Sequence, residues 1–345
     1  PLLLSTSLRG EKNRYELVFL VATSGDTGKA GLEGFADIPG VRIFVFYPHE
    51  GVSQIQRLQM VTQRGKNVGA CAIRGNFDDA QNGVKQIFGD NAINARLESA
   101  GFRLSSANSI NWGRLAPQIV YYFTGYDQMV RAGKIRRGQK IPVCVPTGNF
   151  GNILAAYYAS QGGLPVSRLI CASNRNRVLT DFINTGTYDR RREFFKTEYT
   201  IPGEVLKRLQ SLFHGGFADP QETLRAIRLA FETHAYLMDP HTAVGYWVLQ
   251  KYRKETGDET PALLTSTASP FKFSRAVLEA LGRNPGDRDE FILLKELGGL
   301  SGVAVPAKLA ELKDLPELYP GVCAQNEMAR ELYRFLGMEE DQKLN

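Results

Sequence analysis

The feature that most constrains the fold is a repeated alternation of continuous apolar runs with segments of helical period. The runs Leu17–Ala22, Val41–Tyr47 and Val68–Ile73 are apolar almost throughout, and each leads through a polar turn into a helical pattern. The same rhythm resumes at Ile141–Val145 and Arg168–Ala172. Strands that are apolar on both faces are typical of parallel sheets with helices on either side. The pattern therefore predicts an α/β protein with two open, twisted, mostly parallel sheets covered by helices.

Chain length predicts two domains. The 345 residues exceed the ~250–300 over which a single hydrophobic core usually keeps growing. We place a smaller α/β domain over residues 15–133 and a larger one over residues 134–345, together with residues 1–14. Within the larger domain, residues 204–255 are predicted to be mainly helical, with breaks at Gly215–Gly216 and at Asp239–Pro240.

Composition narrows the class of protein. The net charge is +6, and apart from Arg190–Arg192 the basic residues are dispersed, so no basic stripe favours nucleic-acid binding. The binding of a small anionic substrate is enough to explain the excess of positive charge. The four cysteines form no CxxC pair or Cys/His cluster, which argues against a metal site and favours a reducing, cytoplasmic location. No apolar run is long enough for a membrane span.

The stretch Pro146–Asn152, which joins a predicted strand to a predicted helix, is a candidate ligand site. Its two glycines expose backbone N–H groups without an obstructing Cβ, at the positive end of a helix dipole. A helix cap needs only one glycine, so the pair favours the binding of a phosphate. The candidate residues are Gly148, Asn149, Phe150, Gly151 and Asn152.

Two other polar turns follow apolar runs. Thr23–Lys29 does not fit a Walker phosphate loop, because Thr23 and Ala30 stand where that loop needs glycine and a hydroxyl residue. It is either a capped tight turn or an anion site assisted by the hydroxyls of Ser24 and Thr27. The third turn is Thr265–Ser269. Because open α/β sheets bind ligands at the carboxyl ends of strands, the three turns together indicate an enzyme with a phosphorylated cofactor.

Four segments in this order resemble threonine synthase of the bacterial and fungal type: Thr23–Gly28, Ser106–Asn111, Gly148–Asn152 and Asp239–Val244. That family has the tryptophan synthase β-like fold and belongs to the fold-type II pyridoxal-phosphate enzymes. The resemblance implies a lyase of threonine biosynthesis that converts O-phospho-L-homoserine and water to L-threonine and phosphate.

The resemblance also implies which residues bind the cofactor, pyridoxal 5′-phosphate. Gly148–Asn152 would surround its phosphate group with backbone N–H groups. Thr267 would meet the pyridine nitrogen with a neutral hydroxyl, and Asp26 would lie beside the 3′-oxygen.

For the substrate, the resemblance implies two sites. Ser24, Gly25 and Thr27 would bind the α-carboxylate. Asn108, Ser109 and Arg114 would bind the substrate's phosphate group, a task that suits the forked donors of arginine. His241 follows Asp239–Pro240 at a predicted helix start, where capping and packing are favoured over an active-site proton role.

One family motif is not found in this sequence. The family's Schiff-base lysine lies in a segment expected before Pro1, and neither Lys29 nor Lys272 lies in a motif that replaces it. A second family segment is expected near Thr197–Glu198. The alternatives are therefore a threonine-synthase-like phospho-lyase and an inactive ligand-binding relative. The sequence leaves open whether the protein is a monomer or a homodimer.

Overall fold

The structure is a computed structural model that describes residues 15–23, 25–106, 112–189 and 198–338. The strands, in chain order, are β1 (Glu16–Ala22), β2 (Val41–Pro48), β3 (Val68–Ile73), β4 (Phe102–Ser105), β5 (Ile141–Pro146), β6 (Val166–Ser173), β7 (Thr187–Asp189), β8 (Glu198–Thr200), β9 (Phe213–Phe217), β10 (Leu263–Leu264) and β11 (Val322–Cys323). The helices are α1 (Asp26–Phe35), α2 (Gln54–Val61), α3 (Phe77–Gly89), α4 (Asn91–Ser99), α5 (Trp112–Arg131), α6 (Gly151–Gln161), α7 (Val178–Thr185), α8 (Gly203–Leu212), α9 (Pro220–His234), α10 (Pro240–Thr256), α11 (Ser274–Ala280), α12 (Glu290–Ser301), α13 (Ala307–Ala310) and α14 (Met328–Leu336).

The described residues form two compact units, and their division differs from the boundary predicted at residue 133. Residues 15–106 and 305–338 make up the first unit, and residues 112–304 the second. Helix α5 joins the second unit because Leu115, Tyr122 and Tyr126 are buried in that unit's core. The C-terminal helix α14 joins the first unit because its amphipathic face, including Leu332, packs into the core of the first sheet.

The first unit contains a parallel sheet with the strand order β11-β3-β2-β1-β4. The three strands predicted here from continuous apolar runs are its central strands, and β3 is buried at every position. Helix α2 begins where Ser53 caps it, in a reciprocal capping box with Gln56. The edge strands β4 and β11 were not predicted, since they are short and carry partly exposed residues.

The second unit contains a parallel sheet with the strand order β10-β5-β6-β9. Strand β9 replaces the helix break predicted at Gly215–Gly216. A Cβ on Gly215 would lie 3.0 Å from the carbonyl oxygen of Thr180, and one on Gly216 would lie 2.5 Å from Val248 Cγ1. The two glycines therefore allow α7 and α10 to pack tightly against an edge strand, rather than interrupting a helix.

A short antiparallel pair, β7 with β8, also belongs to the second unit. The position near Thr197–Glu198, where a family segment is expected, lies at the start of β8, and residues 190–197 are outside the described ranges. Among the helices that the structure describes, none has the length and apolarity required to cross a membrane.

Candidate functional site

The loop between β5 and α6 rests on a buried set of hydroxyl groups. Thr147 donates its N–H to the Ala172 carbonyl at 2.7 Å and its hydroxyl to the Val145 carbonyl at 2.7 Å. Beneath it, the Ser173 hydroxyl reaches the Thr147 carbonyl at 3.4 Å, and the Thr180 hydroxyl lies 2.9 Å from Ser173 Oγ. These contacts tie the loop to the neighbouring strand β6 and to α7. Sequence reasoning did not single out Ser173 and Thr180, because buried hydroxyls between apolar residues resemble ordinary core positions. Thr147 lies in the predicted stretch Pro146–Asn152, but its supporting role was not predicted.

The loop itself presents a row of free backbone donors. Within the described residues, the N–H groups of residues 148–153 have no hydrogen-bond acceptor, and the first N–H of the helix to find one is that of Leu154, which donates to the Phe150 carbonyl at 2.9 Å. No side chain caps α6 at Phe150. Gly148 and Asn149 are exposed. Consecutive free N–H groups at the positive end of a helix form a site for an anion.

Gly148 is not required by the protein's own packing. Its φ is outside the left-handed region, and a Cβ built on it would have no described atom within 4 Å. An approaching ligand is one physical reason for a glycine where neither backbone conformation nor neighbouring atoms require it. The structure is therefore compatible with a phosphate group close to the Gly148 backbone.

The Thr23–Gly28 turn has a different arrangement, because a side chain within the turn takes up its donors. The buried Thr23 hydroxyl accepts hydrogen bonds from the N–H groups of Gly25 and Gly28, each at 3.0 Å. Gly25 has a φ of 143°, and a Cβ there would lie 2.7 Å from Gln56 Nε2. Asp26 and Thr27 open helix α1 and are partly buried, whereas Ser24 lies outside the described residues. The turn is thus a capped helix start, and its role in binding the substrate carboxylate stays a prediction.

The third turn leaves the same edge of the second sheet as the β5–α6 loop, because β10 pairs in parallel with β5. The Thr265 N–H continues this pairing by donating to the Cys144 carbonyl at 3.0 Å. The Thr242 hydroxyl lies 3.2 Å from Ser266 Oγ and also contacts the fully buried carboxylate of Asp239. Thr267 is exposed and makes no hydrogen bond among the described residues, so its hydroxyl is available to a ligand.

His241 has the capping and packing arrangement that the sequence favoured. Its N–H donates to Asp239 Oδ1 at 2.8 Å, and its exposed ring meets Phe273 edge-on with 5.2 Å between ring centroids. A cavity of about 390 Å³ lies between α9, α10 and the third turn, with Thr242, Tyr246 and Ser266 in its wall. His241 is not among the residues that line it.

The predicted phosphate site of the substrate is only partly described. Arg114 lies in the first turn of α5, whereas Asn108 and Ser109 lie outside the described residues. Burial lowers the pKa of the Arg114 guanidinium, which remains a cation at neutral pH. Among the described residues, no group of His, Cys, Asp and Glu side chains could hold a metal ion.

Tyr122 is a further residue at the β5–α6 loop. Its hydroxyl donates toward the Asn152 carbonyl oxygen at 3.0 Å and also contacts Asn152 Oδ1. Tyr122 lies on the buried face of α5, and an aromatic residue at helical spacing normally indicates core packing. The sequence therefore gives no signal that this side chain reaches the loop.

The two mostly parallel sheets covered by helices have the fold of the type II pyridoxal-phosphate enzymes, as comparison with a solved structure shows. A crystal structure of pyridoxal-phosphate-bound threonine synthase from Brucella melitensis superimposes with a TM-score of 0.77 and 30% sequence identity, over 98% of this chain and 74% of that one.

The sequence comparisons identify the family within this class. A family model described as threonine synthase, C-terminal, matches residues 242–331. Threonine synthase from Pseudomonas aeruginosa is 34% identical over 90% of this chain and 67% of its own length. The chain belongs to the threonine synthase family. Threonine synthase-like 1 from Macaca fascicularis is 38% identical over 76% of this chain, which spans only 41% of that protein's length.

Proposed function

We propose that the protein is a pyridoxal-phosphate-dependent threonine synthase that converts O-phospho-L-homoserine and water to L-threonine and phosphate. The observation that carries this proposal is the row of free N–H groups at residues 148–153, in a chain that belongs to the threonine synthase family. Such a row is suited to the phosphate group of a cofactor, because the donors are fixed by the helix and need no rearrangement on binding.

The residues of the second unit fit this cofactor. The free donors of the β5–α6 loop would hold its phosphate group, and the open space at Gly148 lets that group come near the backbone. Thr267, on the adjacent strand's loop at the same sheet edge, would offer its hydroxyl to the pyridine nitrogen. A hydroxyl carries no charge, so it stabilises a protonated ring nitrogen less than a carboxylate would.

When bound, pyridoxal phosphate supplies an electron sink for negative charge that develops on the substrate. The chain's own residues bind and orient the reactants. Arg114 would bind the substrate's phosphate group together with Asn108 and Ser109, through the forked donors of its guanidinium. In the first unit, the loop that contains Ser24, Gly25 and Thr27 would bind the α-carboxylate at the start of α1, through donors other than the Gly25 N–H group, which already donates to Thr23 Oγ1. Asp26 is assigned to the cofactor's 3′-oxygen by family resemblance.

The test is to incubate the purified protein with pyridoxal phosphate and O-phospho-L-homoserine and to follow the reaction by ³¹P NMR and amino-acid analysis. We expect inorganic phosphate and L-threonine to form in equal amounts. If the protein binds the cofactor but releases no phosphate, the proposed activity is wrong.

A second candidate is a phospho-lyase that eliminates phosphate from the same substrate without releasing threonine. The observation that favours it is the 38% identity to threonine synthase-like 1, compared with 34% to the Pseudomonas aeruginosa threonine synthase. The same assay separates the two activities. The phospho-lyase would yield a 2-oxo acid and ammonia in equal amounts with phosphate, and no threonine.

A further inference from the structure

The buried hydroxyl of Tyr122 reaches the loop that we assign to the cofactor phosphate. Tyr122 lies on α5 with 2% of its surface exposed, and its hydroxyl contacts both oxygens of Asn152, the second residue of α6. Asn152 belongs to the first helical turn, whose N–H groups have no acceptor within the described residues. One phenol thus connects a long core helix to the helix start that would face the anion.

The Tyr122 hydroxyl keeps its proton at all physiological pH values. Burial raises its pKa to about 12, an effect that the neighbouring Thr265 hydroxyl opposes. A neutral phenol has one proton to donate, so it holds one of the two Asn152 oxygens at a time. Because the group stays uncharged, it can support the loop without repelling a phosphate.

Among the described residues, no other side chain makes a hydrogen bond to the first turn of α6. Phe150, at the capping position, cannot accept a hydrogen bond with its side chain, and no cap bond is present there. The hydroxyls of Thr147, Ser173 and Thr180 hold the strand side of the loop. On the helix side, the side-chain hydrogen bond comes from Tyr122.

We propose that Tyr122 is a positioning residue: through Asn152 it fixes the first turn of α6 so that its N–H groups converge on the phosphate of the cofactor. This inference rests on the proposed function, since it assumes that the loop binds pyridoxal phosphate. Hydrogen bonds weaken steeply when donors are displaced or misaligned, and binding sites need donors fixed to about 0.5 Å. Loss of the phenol should therefore weaken phosphate binding without removing any group that touches the phosphate.

The test compares two ligands that differ only in the phosphate group. Equilibrium dialysis would measure the affinity of the wild-type protein and of Tyr122→Phe for pyridoxal phosphate and for pyridoxal. We expect the substitution to lower the affinity for pyridoxal phosphate about tenfold, the factor that corresponds to one hydrogen bond at the upper end of its usual range. The affinity for pyridoxal should stay within a factor of two.

Tyr126→Phe is the matched control. Tyr126 lies one turn further along α5, is 8% exposed, and donates its hydroxyl to the Gln139 carbonyl at 2.9 Å, away from the loop. This variant also removes a hydrogen-bonded hydroxyl from a buried tyrosine, so its thermal midpoint should fall by a comparable amount. Its affinity for both ligands should equal that of the wild type.

Three results would overturn the inference. Tyr122→Phe could bind pyridoxal phosphate as tightly as the wild type, it could lose affinity for both ligands by the same factor, or Tyr126→Phe could show the same selective loss. A wild-type protein that binds neither ligand would instead contradict the proposed function, and the inference with it.

Discussion

The two glycine-containing turns of this protein follow buried strands and start helices, yet their backbone donors are in opposite states. At the start of α1, the Thr23 hydroxyl already accepts the N–H groups of Gly25 and Gly28. At the start of α6, the N–H groups of residues 148–153 have no acceptor among the described residues. Gly25 is needed for its positive φ and its close contact with Gln56, whereas Gly148 is needed for neither reason.

This difference separates two physical reasons for a glycine at a strand-to-helix turn. A glycine that the backbone conformation requires is explained by the fold, and its donors can be satisfied within the turn. A glycine in open space beside free donors has no explanation in the fold, and a bound anion supplies one. The state of the N–H groups therefore distinguishes the two turns more clearly than their sequences do.

We expect the largest loss of stability from a substitution at the glycine of the first turn. Gly25→Ala forces a side chain into a positive φ and places its Cβ against Gln56, which forms the capping box of α2 with Ser53. We expect a loss of about 3 kcal/mol in the free energy of unfolding, measured by urea denaturation. A loss below that of a typical surface substitution would show that the turn does not need glycine.

Removing the internal cap should have the next largest effect. Thr23→Val keeps the shape of the side chain but leaves the buried N–H groups of Gly25 and Gly28 without their acceptor. The expected cost is about 2 kcal/mol of unfolding free energy, measured by urea denaturation of the variant and the wild type. Equal stabilities for the Thr23 variant and the wild type would mean that the hydroxyl does not cap the helix.

A substitution at the glycine of the second turn should weaken cofactor binding rather than lower stability. Gly148→Ala meets no described atom within 4 Å, so the unfolding free energy should be unchanged or raised by about 0.5 kcal/mol. The added methyl group should instead lower the affinity for pyridoxal phosphate roughly tenfold, by displacing one charge-assisted hydrogen bond. Cofactor titration and urea denaturation of the same sample check both parts. A destabilised variant with normal affinity would reverse the comparison.

The smallest expected signal comes from two buried tyrosines, one in each unit. Burial raises the pKa of Tyr47 and of Tyr122 to about 12, above the ordinary value of ~10 for tyrosine. The folded protein therefore binds these protons more tightly than the unfolded chain. Their contribution to stability is complete below pH 10 and is lost as the pH rises toward 12.

An alkaline titration measures this difference through the absorbance of ionised tyrosine at 295 nm. Because the chain has 14 tyrosines, only a small part of the absorbance change should be delayed to higher pH. Tyr122→Phe should remove one of the late-titrating groups. Ionisation of all tyrosines near pH 10 would contradict the burial of both side chains.

The sequence predicted the parts of the fold that depend on local pattern. The central strands β1, β2, β3 and β5 are continuous apolar runs, and the α/β class follows from them. The predicted domain boundary differs from the observed one because the attachment of α5 and α14 depends on long-range packing, which an amphipathic pattern does not specify. Strand β9 was missed because Gly215–Gly216 resembles a helix break until its close contacts with Thr180 and Val248 are known.

The candidate site was predictable to a similar extent. The β5–α6 loop was found from its two glycines, and family resemblance added Thr267, Arg114 and the first turn. The residues Ser173 and Tyr122 and the supporting role of Thr147 were not predicted, because a buried hydroxyl has the same sequence pattern whether it supports a site or fills a core. The predicted roles of Ser24, Asn108 and Ser109 concern residues outside the described ranges.

The most direct test of the contrast between the two turns is an NMR titration of ¹⁵N-labelled protein with inorganic phosphate, read from the backbone amide signals. Free donors that acquire an anionic acceptor shift strongly, whereas donors already bonded to Thr23 have no reason to move. The account predicts saturable shifts for the amides of residues 148–153 and none for those of Gly25 and Gly28. Shifts at Gly25 and Gly28, with the amides of residues 148–153 unchanged, would contradict it.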